Sequence, residues 1–371
     1  DSPVFGAYTS GSTGVSKLVI HSSSNIVAIA YQMSIFVPPS PVQEKWWLPI
    51  LTPALIAATV SMTVFPLSTG LCVILDPFCP LEDIDVQFMK YKPNFWALIP
   101  MFCEILMKST RIPDDYDMSH LRSIGTGAEP MNERKSREVE AFFHKHNCMA
   151  ALSAGYGQSE GCSNFTLPNP LFPLTDGCVG MPMPATVLAV FDPETLEEKS
   201  YGEIGEVCMN GPAKMLHYGG FSAGKLTERT LVMHPDGERW LHTGDKGYLD
   251  KDGFLFINGR IKNLIILSNG ENISPEEIEN KLALGKLVGE VIVTGENNGL
   301  IARIYPDQDA VSAKRMNEET IRSELQAFID SYNNTQPTYR RITGLVIRKY
   351  PFIKSATKKI KRQEVLIDEA L

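Results

Sequence analysis

Tyr8-Thr9-Ser10-Gly11-Ser12-Thr13-Gly14-Val15-Ser16-Lys17 packs five Ser/Thr hydroxyls and two glycines into ten residues that end in a cation. Small residues let backbone N–H groups close on an anion, hydroxyls add donors, and the lysine can neutralise negative charge. The segment therefore reads as a phosphate cradle. It is not the Walker loop, in which Gly and Lys are adjacent and a Ser or Thr follows. Gly219 to Lys225 has the G-x-x-x-x-G-K spacing, but Leu226 stands where the metal-binding hydroxyl belongs, so it reads as a flexible loop. Taken alone, Tyr8 to Lys17 could also be a polar surface linker. Residues further along decide between the two readings.

Downstream, Ala154-Gly155-Tyr156-Gly157-Gln158-Ser159-Glu160 ends the apolar run from Met149 to Ala154, and the C-terminal edge of an α/β sheet is where ligands bind. Tyr156 offers a stacking face for a base. Glu160 offers a hard oxygen for Mg²⁺ riding on phosphates, and Ser159 a hydroxyl for the phosphoryl group. Next come Trp240-Leu241-His242-Thr243-Gly244-Asp245, then Gly247 to Asp250, then Gly259-Arg260-Ile261-Lys262. A buried Asp245 can accept both hydroxyls of a ribose in charge-assisted hydrogen bonds, and Arg260 can donate to sugar or phosphate. By itself Asp245 reads as a turn residue.

Around these motifs the first half alternates strand-like and helical patterns: Leu71 to Leu75, a helix near Leu81 to Lys90, Phe95 to Ile99, a helix from Pro100 to Lys108. Such alternation predicts parallel α/β layering. Asn132 to His146 is a charged amphipathic helix, and Val187 to Met209 switches to short strands of a small β-rich subdomain. After Gly259 the pattern predicts helices over Glu276 to Leu284 and Glu318 to Tyr332, and strands over Glu290 to Thr294, Leu300 to Tyr305 and Gly344 to Arg348. That is a compact α+β unit. There is no internal repeat and no low-complexity tract.

At 371 residues the chain exceeds what one core usually supports, and 43% hydrophobic with 21% charged residues is ordinary globular composition. A net charge of −8 argues against a general nucleic-acid binder, although a local basic stretch runs from Arg340 to Arg362. The seven cysteines are scattered and odd in number, with no CxxC pair, which argues against a disulfide frame or zinc site and favours a reducing compartment. His144 and His146 read as a solvated helix face. From Trp46 to Leu75 there is no Asp, Glu, Lys or Arg, but Pro49, Pro53 and Pro66 interrupt the run, so a buried helix followed by a strand is expected in place of a membrane span. No N-terminal targeting signal is visible.

The ordered set YTSGSTG..K, GAEP at Gly127 to Pro130, GYGQSE, WLHTGD, GRIKNLI and KSATKKIKR resembles the adenylate-forming superfamily of acyl- and aryl-CoA synthetases, peptide-synthetase adenylation domains and luciferases. The resemblance covers the whole chain. It implies an α/β fold: a large adenylate-forming domain over 1–261, with α/β layers and a small β-rich subdomain, and a smaller mobile α+β domain over 262–371. Thr9, Ser10, Gly11, Ser12, Thr13, Gly14 and Lys17 would wrap the ATP phosphates, with Thr13 and Glu160 toward Mg²⁺. Gly127, Ala128 and Glu129 would line the adenine, Tyr156 would stack on it beside Gly155 and Gly157, and Ser159 would hold phosphate. Asp245 and Arg260 would grip the ribose, and Lys262 would be the hinge. Lys359 would approach the carboxylate and the α-phosphate, where a mobile cation stabilises the charge that develops as two anions meet.

The implied reaction is ATP-dependent activation of a carboxylic acid, fatty or aryl, followed by thioester formation with coenzyme A; loading of a phosphopantetheinyl carrier protein is the alternative. A nucleotide-binding remnant without catalysis is a third reading. A cytoplasmic setting fits, with small-molecule acid, ATP and CoA as partners. The sequence departs from the family pattern at Ser16 and Leu18, at Thr52 beside the acyl pocket, at Asn263 after the hinge and at Lys358, which leaves Lys358 as an alternative to Lys359. Family members also carry a further stretch before the phosphate loop, so the resemblance implies a fragment or an omitted N-terminal region.

Overall fold

The computed structural model describes residues 2–9, 17–36, 42–49, 54–98, 100–127, 133–150, 152–167, 177–220, 223–267, 271–296, 299–354 and 360–365. The chain forms two compact units, Asp1–Thr243 with Gly247–Ile257, and Gly244–Lys246 with Asn258–Leu371.

In the first unit a parallel sheet has the strand order Cys72–Asp76, Lys45–Pro49, Phe95–Leu98, Ser123–Thr126, Leu152–Ala154. Register places Trp47 beside Trp96, Trp96 beside Ile124 and Ile124 beside Leu152, an apolar row across four strands. Those four side chains join Phe88, Phe102 and Phe143 from the covering helices Ile84–Tyr91, Pro100–Lys108 and Glu133–Lys145 in one core. Burying each aromatic contributes roughly 1.5–3 kcal/mol. Because successive strand residues face opposite sides, Trp46 packs instead against a second core that holds Ile29, Val60 and Phe65.

This sheet explains one departure from expectation. The uncharged run from Trp46 opens as strand Lys45–Pro49, and the helical segments Ile56–Thr59, Val60–Val64 and Phe65–Ser68 come only later. Trp46 and Trp47 serve two cores, which an extended strand allows and a helix does not. Among the described residues no helix is long and apolar enough to cross a membrane.

A smaller antiparallel sheet of the same unit consists of Pro3–Thr9, Lys17–Ser22 and His217–Gly219. Thr9 pairs with Lys17, so the two ends of the phosphate-loop motif are neighbours; its Ser10 to Ser16 lie outside the described residues. A further sheet orders Val187–Phe191, Gly205–Asn210, Arg239–Leu249 and Leu231–Met233, the expected β-rich subdomain. Lys225 does not lie in a loop: it belongs to helix Ala223–Thr230, which packs against strand His217–Gly219. His146 is not solvated either. It falls just past helix Glu133–Lys145, is buried, and places Nδ1 2.9 Å from the Tyr116 carbonyl oxygen.

The second unit stacks helices Pro275–Leu282 and Glu318–Asn334 on a sheet of Val288–Glu296, Gly299–Pro306 and Ile342–Ile347. Pro275 suits a first helical turn, where its missing N–H costs nothing. Asn317 caps the long helix by accepting from the Thr320 N–H at 2.8 Å, and Leu325 and Ile329, one turn apart, turn its apolar side to the core.

Candidate active site

The GYGQSE segment is shaped by backbone bonds at the C-terminal edge of the parallel sheet. Gly127 and Gly155 follow adjacent parallel strands, and the Gly155 N–H donates to the Thr126 carbonyl at 3.1 Å. The Tyr156 carbonyl accepts from Phe165 and Thr166 N–H groups at 2.8 and 3.1 Å, and its own N–H donates to Thr166 Oγ1 at 3.0 Å. The chain then makes one tight turn, Ser159–Gly161, tied by the Gln158 carbonyl to the N–H of Gly161 at 3.1 Å. Gly157 is required for close approach: a Cβ there would lie 1.7 Å from the Ser163 carbonyl oxygen. Tyr156 is half-buried with its ring edge-on to Phe165, centroids 5.4 Å apart, and the Gln158 side chain donates to the Thr243 carbonyl at 2.9 Å.

Two residues that sequence reasoning missed connect this turn to Lys17. His21 lies four positions after Lys17 on one strand, hence on the same face, and its Nε2 is 2.7 Å from the Ser159 carbonyl oxygen. It is fully buried, and burial pushes its pKa below the ordinary 6.5. Tyr218 donates its hydroxyl to Glu160 Oε1 at 2.7 Å, while the Lys17 ammonium sits 5.1 Å from the centre of its ring. Burial pushes the Tyr218 phenol well above its ordinary value, so it stays a donor. The i,i+4 spacing of Lys17 and His21 on a strand was a usable signal; nothing local in His217-Tyr218-Gly219 pointed to Tyr218.

In the second unit Asp245 is no turn residue. It lies within strand Arg239–Leu249, 3% exposed, with Oδ1 2.9 Å from Arg260 Nε. Lys262 is exposed in the short turn Ile261–Asn263. Before it, Gly259 has φ +139°, and a Cβ there would meet Ser274 Oγ at 2.3 Å, so only glycine fits. Asn263, one of the departures from the family pattern, donates to Glu276 Oε1 at 2.5 Å.

Toward the C-terminus, Lys354 and Ile360 form an antiparallel bridge that brackets residues 355–359. Lys354 pairs with Glu290 at 2.6 Å and Arg362 with Glu279 at 2.5 Å, while Glu279 also accepts the Val293 N–H at 2.6 Å. Burial pushes the Glu279 carboxyl above its ordinary value, with Arg362 acting against the shift. The cations Arg340, Lys354 and Arg362 of the basic stretch are thus taken up by the carboxylates of Glu277, Glu290 and Glu279.

The structure therefore brings Thr9, Lys17, Ser159 and Glu160 together through one small sheet, by way of His21 and Tyr218, and sets Gly127 beside Gly155. It pairs Asp245 with Arg260. Ser10, Gly11, Ser12, Thr13, Gly14, Ala128, Glu129, Thr52, Lys358 and Lys359 lie outside the described residues. Elsewhere in the first unit, the fold gathers ligand-type atoms that the cysteine spacing did not announce: Glu206, Cys208 and His242 offer atoms within 4.8 Å of one another. Their contacts are those of a hydrogen-bonded network, since His242 Nδ1 is 2.8 Å from Glu206 and its Nε2 is 2.9 Å from His234 Nε2. Separations that short are hydrogen bonds, whereas ligands spread around one ion stand further apart.

Comparison with known proteins matches residues 1–219 to a family model described as AMP-binding enzyme, and residues 262–368 to one described as AMP-binding enzyme C-terminal domain. The chain is 29% identical over 361 residues to "Probable 4-coumarate--CoA ligase 1" of Dictyostelium discoideum, covering 96% of this chain and 62% of that protein. It is 31% identical over 292 residues to the long-chain-fatty-acid–CoA ligase of Bacillus subtilis (strain 168), covering 78% of this chain and 49% of the relative. The chain thus spans about three fifths of the first of these relatives and half of the second. The ATP-bound RpMatB-BxBclM chimera B1 shares its fold, with a TM-score of 0.82 at 23% identity over 98% of this chain and 67% of that one.

Proposed function

The chain belongs to the AMP-binding enzyme family, and from that premise we propose that it uses ATP to convert a carboxylic acid to an acyl-AMP with release of pyrophosphate, then transfers the acyl group to coenzyme A. The observation that supports this most directly is the meeting of Lys17, Ser159 and Glu160, from segments far apart in sequence, around Tyr218 and His21.

In this reading Lys17 and Thr9, with Ser10 to Gly14, hold the ATP phosphates, and Gly127 to Glu129 with Tyr156 hold the adenine. Asp245 and Arg260 hold the ribose: a buried carboxylate braced by a guanidinium is an acceptor for two hydroxyls. The donor set also fits Mg²⁺, since Glu160 offers hard carboxylate oxygens and one hydrogen bond from Tyr218 leaves most of its lone pairs for a cation. Bound there with Thr13, Mg²⁺ supplies charge neutralisation to the phosphates. Lys359 stabilises the charge that develops as the acid carboxylate attacks the α-phosphate. The unit over 262–371 then swings about Lys262, and a thiol attacks the acyl-AMP carbonyl with AMP departing.

CoA as acceptor, and a fatty or aryl acid as substrate, are supported by the relatives named as long-chain-fatty-acid and 4-coumarate CoA ligases. Seven unpaired cysteines support a reducing, cytoplasmic setting. Acid-dependent ATP–pyrophosphate exchange across a panel of carboxylic acids tests the first half-reaction. ATP binding without exchange for any acid would turn the reading into a non-catalytic nucleotide binder. For the second half, thioester is expected with CoA; product only on a phosphopantetheinylated carrier protein would replace CoA as acceptor.

A further inference from the structure

We infer that Tyr218 is a positioning residue that holds the phosphate-facing lysine and the metal-facing glutamate apart, each satisfied and neither neutralised. The inference rests on the reading of Lys17 and Glu160 given above.

The two charges meet the tyrosine. Its hydroxyl donates to Glu160 Oε1 at 2.7 Å, and its ring face receives the Lys17 ammonium at 5.1 Å. A lysine and a glutamate that closed directly on each other would cancel, leaving little charge for a metal triphosphate. A neutral aromatic between them avoids this: its face attracts a cation and its hydroxyl makes a charge-assisted bond to an anion.

Tyr218 is fixed well enough to set both positions. It is 2% exposed and packs with Val19, Phe165, Met215 and Leu231. Strand pairing sets it opposite Val19, two residues after Lys17. Its N–H donates to Thr227 Oγ1 at 3.0 Å, and that hydroxyl donates in turn to the Ala223 carbonyl at 2.7 Å. On the other side the Glu160 carbonyl accepts the Met215 N–H at 2.8 Å, so glutamate and tyrosine are tied by backbone as well. The bond from Tyr218 orients the carboxylate and leaves its remaining lone pairs to a hard cation.

The test is a titration of Mn²⁺, standing in for Mg²⁺, into the full chain with a non-hydrolysable ATP analogue, read by electron paramagnetic resonance. Tyr218→Phe keeps the ring under Lys17 and removes only the hydroxyl; about tenfold weaker Mn²⁺ binding is expected, the loss of one hydrogen bond to a charged group. Half-saturating Mg²⁺ in the exchange assay should rise by the same factor, with half-saturation for the acid unchanged. Because Tyr218 acts through Glu160, Glu160→Gln combined with Tyr218→Phe should be no weaker than Glu160→Gln alone. If Tyr218→Phe fails to fold, Thr227→Val carries the test, with about threefold weaker Mn²⁺ binding as the tyrosine loosens. Wild-type Mn²⁺ affinity in a folded Tyr218→Phe, or in Thr227→Val where Tyr218→Phe is unfolded, overturns the inference and leaves the role of Glu160 standing. Unchanged Mn²⁺ binding in Glu160→Gln overturns both.

Discussion

Two regions of the molecule, one in each unit, treat opposite charges in contrary ways. In the first, Lys17 and Glu160 are separated by a tyrosine that touches both. In the second, Arg362 closes on Glu279 at 2.5 Å and Lys354 on Glu290 at 2.6 Å. In these two pairs each charge is taken up by its partner and serves to hold chain geometry. Separated charges do the reverse: they contribute less to the fold and remain usable. On the function proposed above, the contrast separates charges that build from charges that act.

The largest effect that would break this contrast is loss of a closed pair. Arg362→Met strands the buried Glu279 carboxylate without its cation, and a cost of about 3–5 kcal/mol is expected in chemical denaturation of the whole chain. The sign of its pH dependence follows. Burial already raises the Glu279 pKa, and removing the cation raises it further, so the folded variant holds a proton that the unfolded chain releases. Its deficit should therefore shrink as pH falls from neutrality toward the ordinary carboxylate range; a deficit that grows on acidification contradicts the account.

Next in size is Lys359→Ala, on the segment that the closed pairs bracket. Adenylation measured by exchange should fall by about 10²–10³, the cost of removing one transition-state charge stabiliser, with thioester formation from supplied acyl-AMP close to wild type. Equal loss in both half-reactions would return the choice to Lys358 or remove the lysine from the chemistry.

A smaller effect belongs to the first unit. Burial lowers the pKa values of His21, His120 and His234 from the ordinary 6.5. The unfolded chain takes up protons there before the folded chain does, so stability is full above 6.5 and declines as pH drops below it. His21→Gln, with an amide still able to reach the Ser159 carbonyl, should flatten that acid slope in thermal melts; an unchanged slope would assign it to His120 and His234. The smallest effect is the control. Lys314 and Glu324 form an exposed pair at 3.1 Å, and Lys314→Ala should move stability by no more than about 0.5 kcal/mol.

Much of this was legible in the chain. The 3.6-residue and two-residue periods announced helix Pro100–Lys108 and strands Phe95–Leu98 and Gly299–Pro306, because each element is specified by its own apolar pattern. Patterns with two competing causes were read wrongly. Trp46 and Trp47 in an uncharged run look like buried helix until two cores claim alternate residues. Lys225, in a glycine-bearing stretch, looks like loop until helix Ala223–Thr230 packs on its strand. His146 was read by the helix face it continues, yet the chain turns past the helix end and buries it.

The sequence by itself determined the order and chemistry of the motifs: a hydroxyl-rich cradle ending in Lys17, a glutamate after a glycine-rich turn, an aspartate and arginine further on, and a lysine-rich end. Residue types carry donors, acceptors and charge wherever they sit, so that much needs no fold. Only the tertiary structure decided who partners whom. Tyr218 meets Glu160 across 58 positions and His21 meets Ser159 across 138, contacts made by strand pairing between distant segments. Local patterns record which face of an element is apolar, not which distant strand will lie against it. For the same reason Lys17, readable from the first line, met its tyrosine only when the chain had folded.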